Sequence, residues 1–400
     1  MKKGLILILA LFLALTATAQ HRRIPYYGFA RLDRNRIQYP SGKSPDFDLF
    51  LRKLDTLSVY GKASVRVLHV GGSHVQGGTW TQQLRRNFMT MRYGMDGGRG
   101  MVFPFSAAGT NTPSGYATEY TGEWTFSRCL KPEADIPLGI TGMSVTTADS
   151  TATFLIDTAE RNPREWAPRF MFRDVEVLGF GSARPVILMD RDTLEGTPSK
   201  YGWHFDLPHY TNYLSVAFRG FPGQCTVTGI YLDRPGGGIT ISEAGVNGAA
   251  TSSWVACRDF ERDLELVRPD LVIFSVGIND VQGADFNQDR FIRNYNRLIA
   301  EVRKVNPHCA ILFTSNNDSY RNRLPNRHGE AAEMAFARLA VENDAAFWDL
   351  FDIMGGAGSS LSWEGAGLMR GDRVHFTPAG YDLLGDLLFN AIMDARRRMR

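Results

Sequence analysis

The chain has 400 residues, and 45 Lys+Arg stand against 42 Asp+Glu, so its formal charge of +3 gives no reason to expect a nucleic-acid partner. Setting aside Lys2 and Lys3 at the extreme N-terminus lowers that charge to +1. Hydrophobic residues at 44%, charged at 22% and aromatic at 12% exclude a disordered, collagen-like or coiled-coil chain, and at roughly 150 residues per domain the length suggests two to three domains with a sizeable core.

Lys2 and Lys3 precede an apolar run from Leu5 to Leu15, followed by Ala17-Thr18-Ala19. A charged start, a short apolar stretch and a small-x-small site form the pattern of a secretory signal peptide, so residues 1–19 are expected to be a leader and the mature chain to start near Gln20. Export to the periplasm or beyond follows from this reading. Eleven apolar residues are too few to span a hydrocarbon core, which takes about 20 in helix, and no later segment is long enough, so no transmembrane segment is expected in the mature protein. No cysteine sits at the cleavage point, so no lipid anchor is indicated.

Ser64-Val-Arg-Val-Leu-His-Val70 reads as a buried strand halted by Gly71-Gly72, with a helix from about Thr79 to Met91. From Met101 to Thr240 no helical period persists. Short strand-like runs, including 152–157, 174–180, 185–190, 213–218 and 225–233, alternate with turn residues as in an antiparallel sandwich or jelly roll. Strand–helix alternation resumes with a helix near Trp254 and a strand over Asp270–Val276. Phe291, Ile292, Tyr295, Leu298, Ile299 and Val302 then fall at helical spacing. A strand at Ala310–Thr314, a helix at Glu330–Glu342, a strand at Ala345–Leu350 and a helix from Pro378 complete the chain. The predicted architecture is an α/β domain with a parallel sheet covered on both faces, interrupted by a β-sandwich. Its segments are 20–100 and 241–400 for the α/β domain and 101–240 for the insert.

Cys129, Cys225, Cys257 and Cys309 allow three full pairings, between which the sequence does not choose. No CxxC or HExxH occurs, so neither a metal site nor a cofactor is expected.

Four short blocks carry possible chemistry. Gly71-Gly72-Ser73-His74 places a serine just beyond a strand, where ligand sites form in open α/β sheets. The hydrolase elbow GxSxG is unmatched, because Val75 stands at its second glycine, and no Gly-Lys-Ser/Thr makes a Walker loop. Gly245-Val246-Asn247-Gly248 is a glycine-bearing turn ahead of a helix, and Gly277-Ile278-Asn279-Asp280 puts an amide at the sheet edge. A glycine N–H and an Asn side chain are the donor types an oxyanion hole needs. Asp372-Arg373-Val374-His375 spaces a carboxylate and an imidazole so that one can fix the other's tautomer. Each block alone also reads as an ordinary turn, cap or surface pair.

Taken in order, the four blocks resemble the SGNH, or GDSL, hydrolase superfamily, over residues of about 60–100 and 241–395. The resemblance implies a flavodoxin-like three-layer fold, Ser73 as nucleophile, His375 as general base and then acid, and Asp372 as its orienter. It also implies an oxyanion hole made by the backbone N–H of Ser73, the N–H of Gly248 and the side chain of Asn279. Gly72 departs from the family's aspartate, which places local support of the serine turn in question. Asp280 reads as loop support.

Among other candidates, His69 is expected in the core and His74 flanks the serine. Asn316, Asn317 and Asp318 follow a strand at the site edge, either near substrate or as loop caps. Trp124, Trp203 and Tyr210 in the insert read as core packing or as sugar-stacking surfaces. An exported domain of this kind, interrupted by a β-sandwich, resembles the peptidoglycan O-acetylesterases, whose insert is carbohydrate-binding-like. The expected partner is an O-acetylated glycan, peptidoglycan first, deacetylated through an acyl-enzyme. The alternatives are an acetyl esterase on another polysaccharide, a lipase or acyl-thioesterase, a glycan O-acetyltransferase and an inactive glycan-binding protein.

Overall fold

The computed structural model describes residues 21–131, 133, 135–159, 170–283 and 285–399. The expected leader at 1–19 lies outside the described residues. Among the described residues no helix is long and apolar enough to cross a membrane.

Five strands form a wholly parallel sheet: β1 (Ser64–Gly71), β2 (Gly238–Gly245), β3 (Leu271–Ser275), β4 (Ala310–Thr314) and β5 (Ala346–Trp348), in spatial order β2-β1-β3-β4-β5. The sheet is covered by α1 (Pro45–Tyr60), α2 (Thr79–Met89), α3 (Gln288–Val305), α4 (Gly329–Glu342) and α5 (Pro378–Met399). Side chains alternate across β1. Val65 and Val67 join the core under α1, α2 and α5, with Phe47, Leu54, Leu84 and Leu388. Leu68 and Val70 face the other layer, with Phe291, Tyr295, Phe336 and Leu339 of α3 and α4. Strands buried on both faces between helices are what the near-continuous apolar runs require.

The order 2-1-3-4-5 has its topological switch between β1 and β3, and ligands bind at the carboxyl ends of strands at such a point. Those ends are level here, since Gly71 pairs in register with Gly245 of β2 and with Ser275 of β3.

The chain leaves this sheet after α2. A seven-stranded sheet, built round Phe172–Gly181 and Cys225–Asp233, faces a five-stranded one built round Thr153–Asp157 and Tyr213–Arg219, and all pairings in both are antiparallel. Val175, Val177, Val227 and Ile230 of the first share a core with Phe154, Ile156, Leu214 and Val216 of the second. This is the expected antiparallel insert.

β2 was not expected as a strand, because Thr240, Ser242 and Glu243 break its apolar run, yet all eight of its residues are buried. The preceding loop supplies their partners. Thr240 Oγ1 donates to the Gly97 carbonyl at 2.7 Å, and Met101 N donates to Ser242 Oγ at 3.0 Å. Glu243 lies between the buried Arg85 and Arg99 guanidiniums. Ile239 N and O also bond Met95 O and Gly97 N, so residues 95–101 run along the outer side of β2. α1 was likewise missed, although Phe47, Phe50, Leu51, Leu54 and Leu57 mark a helical stripe, with Pro45 opening it and Gly61 closing it in the left-handed conformation. The helix placed near Trp254 begins earlier, at Thr251.

Candidate active site

Beyond the level strand ends, Ser73 lies two residues past Gly71, Gly248 three past Gly245 and Asn279 four past Ser275, so short turns from three strands converge. The first turn is tight. A Cβ on Gly71 would fall 2.2 Å from Val75 Cγ2, so only glycine fits. The Gly72 carbonyl accepts from Val75 N at 3.1 Å and Gln76 N at 3.0 Å, which starts the short helix Ser73–Gln76 and leaves the Ser73 amide among its first-turn donors, with no intrahelical acceptor. Gly72 itself is pressed into the site. A Cβ there would lie 3.1 Å from Asn279 Nδ2 and 3.4 Å from the Ala249 carbonyl, and the turn closes through main-chain bonds without an aspartate side chain.

Ser73 Oγ lies 2.8 Å from His375 Nε2, and His375 Nδ1 lies 2.8 Å from Asp372 Oδ2. Nδ1–H donating to the carboxylate leaves Nε2 as the acceptor for the serine hydroxyl. The carboxylate is fixed independently. Asp372 Oδ1 accepts from Val374 N and His375 N, both at 2.9 Å. Partial burial pushes the Asp372 pKa up, but these amide bonds and its bond to His375 outweigh that and hold it below the ordinary carboxylate value. The turn depends on Arg373, whose φ of +52° is in the left-handed region. Its side chain is anchored by Glu364 and lies over the Tyr320 ring, 4.7 Å from the centroid, and its carbonyl accepts from Tyr320 N at 3.1 Å.

Gly248 turns its loop at φ +84°, and the loop is held from the third block. Asp280 accepts from Thr251 N at 3.0 Å and Thr251 Oγ1 at 2.7 Å, while Asn279 Nδ2 donates to the Ala249 carbonyl at 2.9 Å. An amide nitrogen has two hydrogens, so Asn279 keeps one for the cleft.

Ser73, Gly248, Asn279 and His375 line an open cleft of about 740 Å³ together with Gly77, Thr79, Asn111, Asn247, Arg370, Pro378 and Tyr381. Sequence reasoning missed Asn111, Arg370 and Tyr381. Asn111 comes from the insert and is drawn in by amide bonds: Asn247 Nδ2 donates to Asn111 Oδ1 at 2.7 Å, and Gln76 Oε1 accepts from Asn247 N at 2.6 Å. No local motif encodes such a long-range pairing.

The other candidates take structural places. His69 is fully buried, bonded to Thr81 Oγ1 at 2.9 Å and Ser275 Oγ at 2.8 Å. His74 packs 5.3 Å from the His375 ring and shares a 2.6 Å hydrogen bond with the Tyr381 hydroxyl. Burial first, and then the His375 charge, lower its pKa to about 3, so it stays neutral beside His375. Asn316, Asn317 and Asp318 are buried and do not line the cleft. Asn317 Nδ2 donates to the Val374 carbonyl at 3.1 Å and so braces the histidine turn, while Asp318 accepts from Ser360 at the start of another helix. Trp203 is 8% exposed and belongs to the insert core, so it is no stacking surface. Trp124 packs on Phe154 and Phe218. Tyr210 is 42% exposed but lies between Arg173 and Arg234 and away from the cleft. The four cysteines are free and buried.

A solved structure of a peptidoglycan O-acetylesterase matches this fold with a TM-score of 0.72 at 22% identity, covering 90% of this chain and 99% of that one. A GDSL-like lipase from Bacteroides thetaiotaomicron is 24% identical over 39% of this chain and 76% of its own, with a TM-score of 0.32. A catalytic mutant of an acetylxylan esterase from Geobacillus stearothermophilus is 21% identical over 40% and 74%, also with a TM-score of 0.32. No curated protein matches the chain. Residues 200–383 match the GDSL-like lipase/acylhydrolase family, a stretch that contains Gly248, Asn279, Asp372 and His375 and begins after Ser73. Residues 200–383 are thus similar to the GDSL-like lipase/acylhydrolases, a match that supports a carboxylic ester hydrolase, and the chain as a whole has the fold of the matched esterase structure, with the four blocks gathered at the switch point of its 2-1-3-4-5 sheet.

Proposed function

We propose that the protein is an exported serine esterase that removes O-acetyl groups from a carbohydrate, peptidoglycan first. The observation that carries this reading is the hydrogen-bonded series Ser73–His375–Asp372 opening on a cleft rimmed by Gly248 and Asn279. In this mechanism His375 Nε2 takes the Ser73 proton as Oγ attacks the acetyl carbonyl. The oxyanion is held by the Ser73 and Gly248 amides and Asn279 Nδ2. Collapse of the tetrahedral adduct breaks the bond to the sugar oxygen, which leaves with the proton from His375. Water, deprotonated by His375, then attacks the acetyl-enzyme and releases acetate, returning the proton to Ser73.

The lining of the cleft supports a polar substrate over a long acyl chain. Its side chains are hydroxyls, amides, an imidazole and a guanidinium, with Pro378 and Tyr381 the apolar surfaces, whereas a lipase needs an aliphatic channel. The matched peptidoglycan O-acetylesterase fold supports the substrate choice, and the charged and apolar leader supports export. The test is acetate release from O-acetylated peptidoglycan and from acetylated xylan by the wild type and Ser73→Ala. The reading expects release from peptidoglycan, reduced at least 10³-fold in a folded Ser73→Ala variant. Near-normal turnover in that variant would remove the nucleophile, and faster release from xylan would move the substrate to a plant polysaccharide.

A further inference from the structure

Arg370 is a cation with no assigned task in the scheme above. It is exposed, and it lines the same cleft as Ser73 and His375. Its backbone is pinned to the catalytic turn, since Arg370 N donates to the His375 carbonyl at 2.8 Å and Arg373 N donates to the Arg370 carbonyl at 2.9 Å. The position of its side chain relative to the serine is therefore set by the turn that sets the imidazole.

Arg373, beside it on the same turn, has a carboxylate partner in Glu364. Among the described residues the Arg370 guanidinium makes no ion pair or side-chain hydrogen bond. Its charge is felt inside the cleft, where it opposes the burial-driven rise of the Tyr381 pKa. The lining also includes Thr79, Asn111, Asn247 and Asn279, which are neutral, and among the described residues no carboxylate lines the cleft. Such amides suit sugar hydroxyls. A guanidinium left without a partner at the rim offers a planar fork of donors that matches a carboxylate in two parallel bonds.

We propose that Arg370 forms a carboxylate subsite, so that the preferred substrate is an acetylated glycan with an acidic group on the acetylated sugar or its neighbour. This deepens the esterase reading and rests on it. Arg370 acts as a specificity residue: it holds the acid while Ser73 meets the acetyl group, and it takes no part in proton transfer.

The experiment uses one glycan in two forms. O-Acetylated peptidoglycan fragments stripped of peptide carry free lactyl carboxylates, and carbodiimide coupling to ammonia turns these into neutral amides without changing the acetyl ester. The ratio of kcat/KM for the native over the amidated form is measured for the wild type, Arg370→Lys and Arg370→Gln, with hydrolysis of 4-nitrophenyl acetate as the control. The expected wild-type ratio is about five- to tenfold, as for an exposed bidentate pair, falling as salt is raised. It should drop towards one in Arg370→Gln and lie between in Arg370→Lys, which keeps the charge but loses the fork. The ratio cancels any general disturbance of the histidine turn. A wild-type ratio near one, or a ratio that survives in Arg370→Gln, overturns the subsite while leaving the esterase reading in place. Failure of the wild type to hydrolyse even 4-nitrophenyl acetate overturns the esterase reading and the subsite with it.

Discussion

Replacing Asn279 by alanine separates the two tasks that its amide is positioned to do. One hydrogen of Nδ2 is spent on the Ala249 carbonyl at 2.9 Å, which helps fix the Gly248 loop, and the other is free toward the cleft. Loss of the first removes one partly buried hydrogen bond, about 0.5–1.5 kcal/mol of stability, or a fall in Tm of a few degrees. In the proposed oxyanion hole, loss of the second removes a donor to charge that develops only in the transition state, for which the expected fall in kcat is roughly 10²–10³, or about 2.7–4 kcal/mol. Steady-state kinetics on 4-nitrophenyl acetate, with a melting curve for each variant, distinguish the two. The expected pattern is a large loss in kcat, little change in KM and a fold that melts only slightly earlier. Asn279→Asp keeps the shape but cannot donate, and it should lose at least as much turnover. A loss confined to KM would make Asn279 a ground-state binding residue, and a fall below tenfold in kcat would refute its place in the oxyanion hole.

Three further outcomes are expected. Glu333 of α4 and Asp349 just past β5 line one surface pocket with Met334, Ala337 and Phe347, and burial, followed by the Asp349 charge, holds the Glu333 pKa well above the carboxylate range. The native state therefore keeps a proton that the unfolded chain gives up near the ordinary glutamate value of about 4.3, so stability is full below that pH and falls as pH rises toward the raised pKa. Denaturant midpoints between about pH 5 and pH 9 should show this slope in the wild type and a flatter one in Glu333→Gln, and equal slopes would refute it. Trp203→Ala should cost about 3–5 kcal/mol of stability by emptying the insert core, and a melting temperature within a degree of wild type would contradict its burial. Asn111→Ala should lower acetate release from glycan relative to 4-nitrophenyl acetate, whereas Tyr210→Ala, away from the cleft, should leave the ratio of the two unchanged. A glycan-selective loss in Tyr210→Ala would place the substrate path across the outer face of the insert.

The parts of this molecule legible in sequence are those whose signal is local. β1, β3 and β4 are apolar runs ended by turn residues, and Asp372 to His375 is a four-residue turn whose spacing by itself lets the carboxylate reach the ring. β2 was illegible because its polar residues are satisfied by a loop some 140 residues earlier in the chain, so what looks like a broken strand is a buried one with remote partners. Asn111 and Arg370 were illegible for the same reason: nothing in their neighbours announces the cleft that the fold brings to them. Trp203 shows the converse limit. Aromatic character was plain in the sequence, but whether a ring in a strand faces the core depends on which sheet face it occupies, and Trp203, opposite Val177, faces inward.

β2 is the outermost strand of the parallel sheet, and its free side is occupied by the segment that leads into the insert. This gives the β-sandwich a task in protecting the catalytic sheet. Excising 101–237, which leaves β2 whole, and rejoining the ends would force the 95–100 segment to turn directly into β2 instead of running beside it. The main-chain groups of a long, flat edge would then be bare, and such an edge templates pairing with other chains. A minimal hydrolase trimmed to its catalytic half should therefore precipitate while its triad remains correctly encoded. The insert is in this sense a built-in shield, and a lineage that acquired it could not discard it without first finding another cover for the exposed rung.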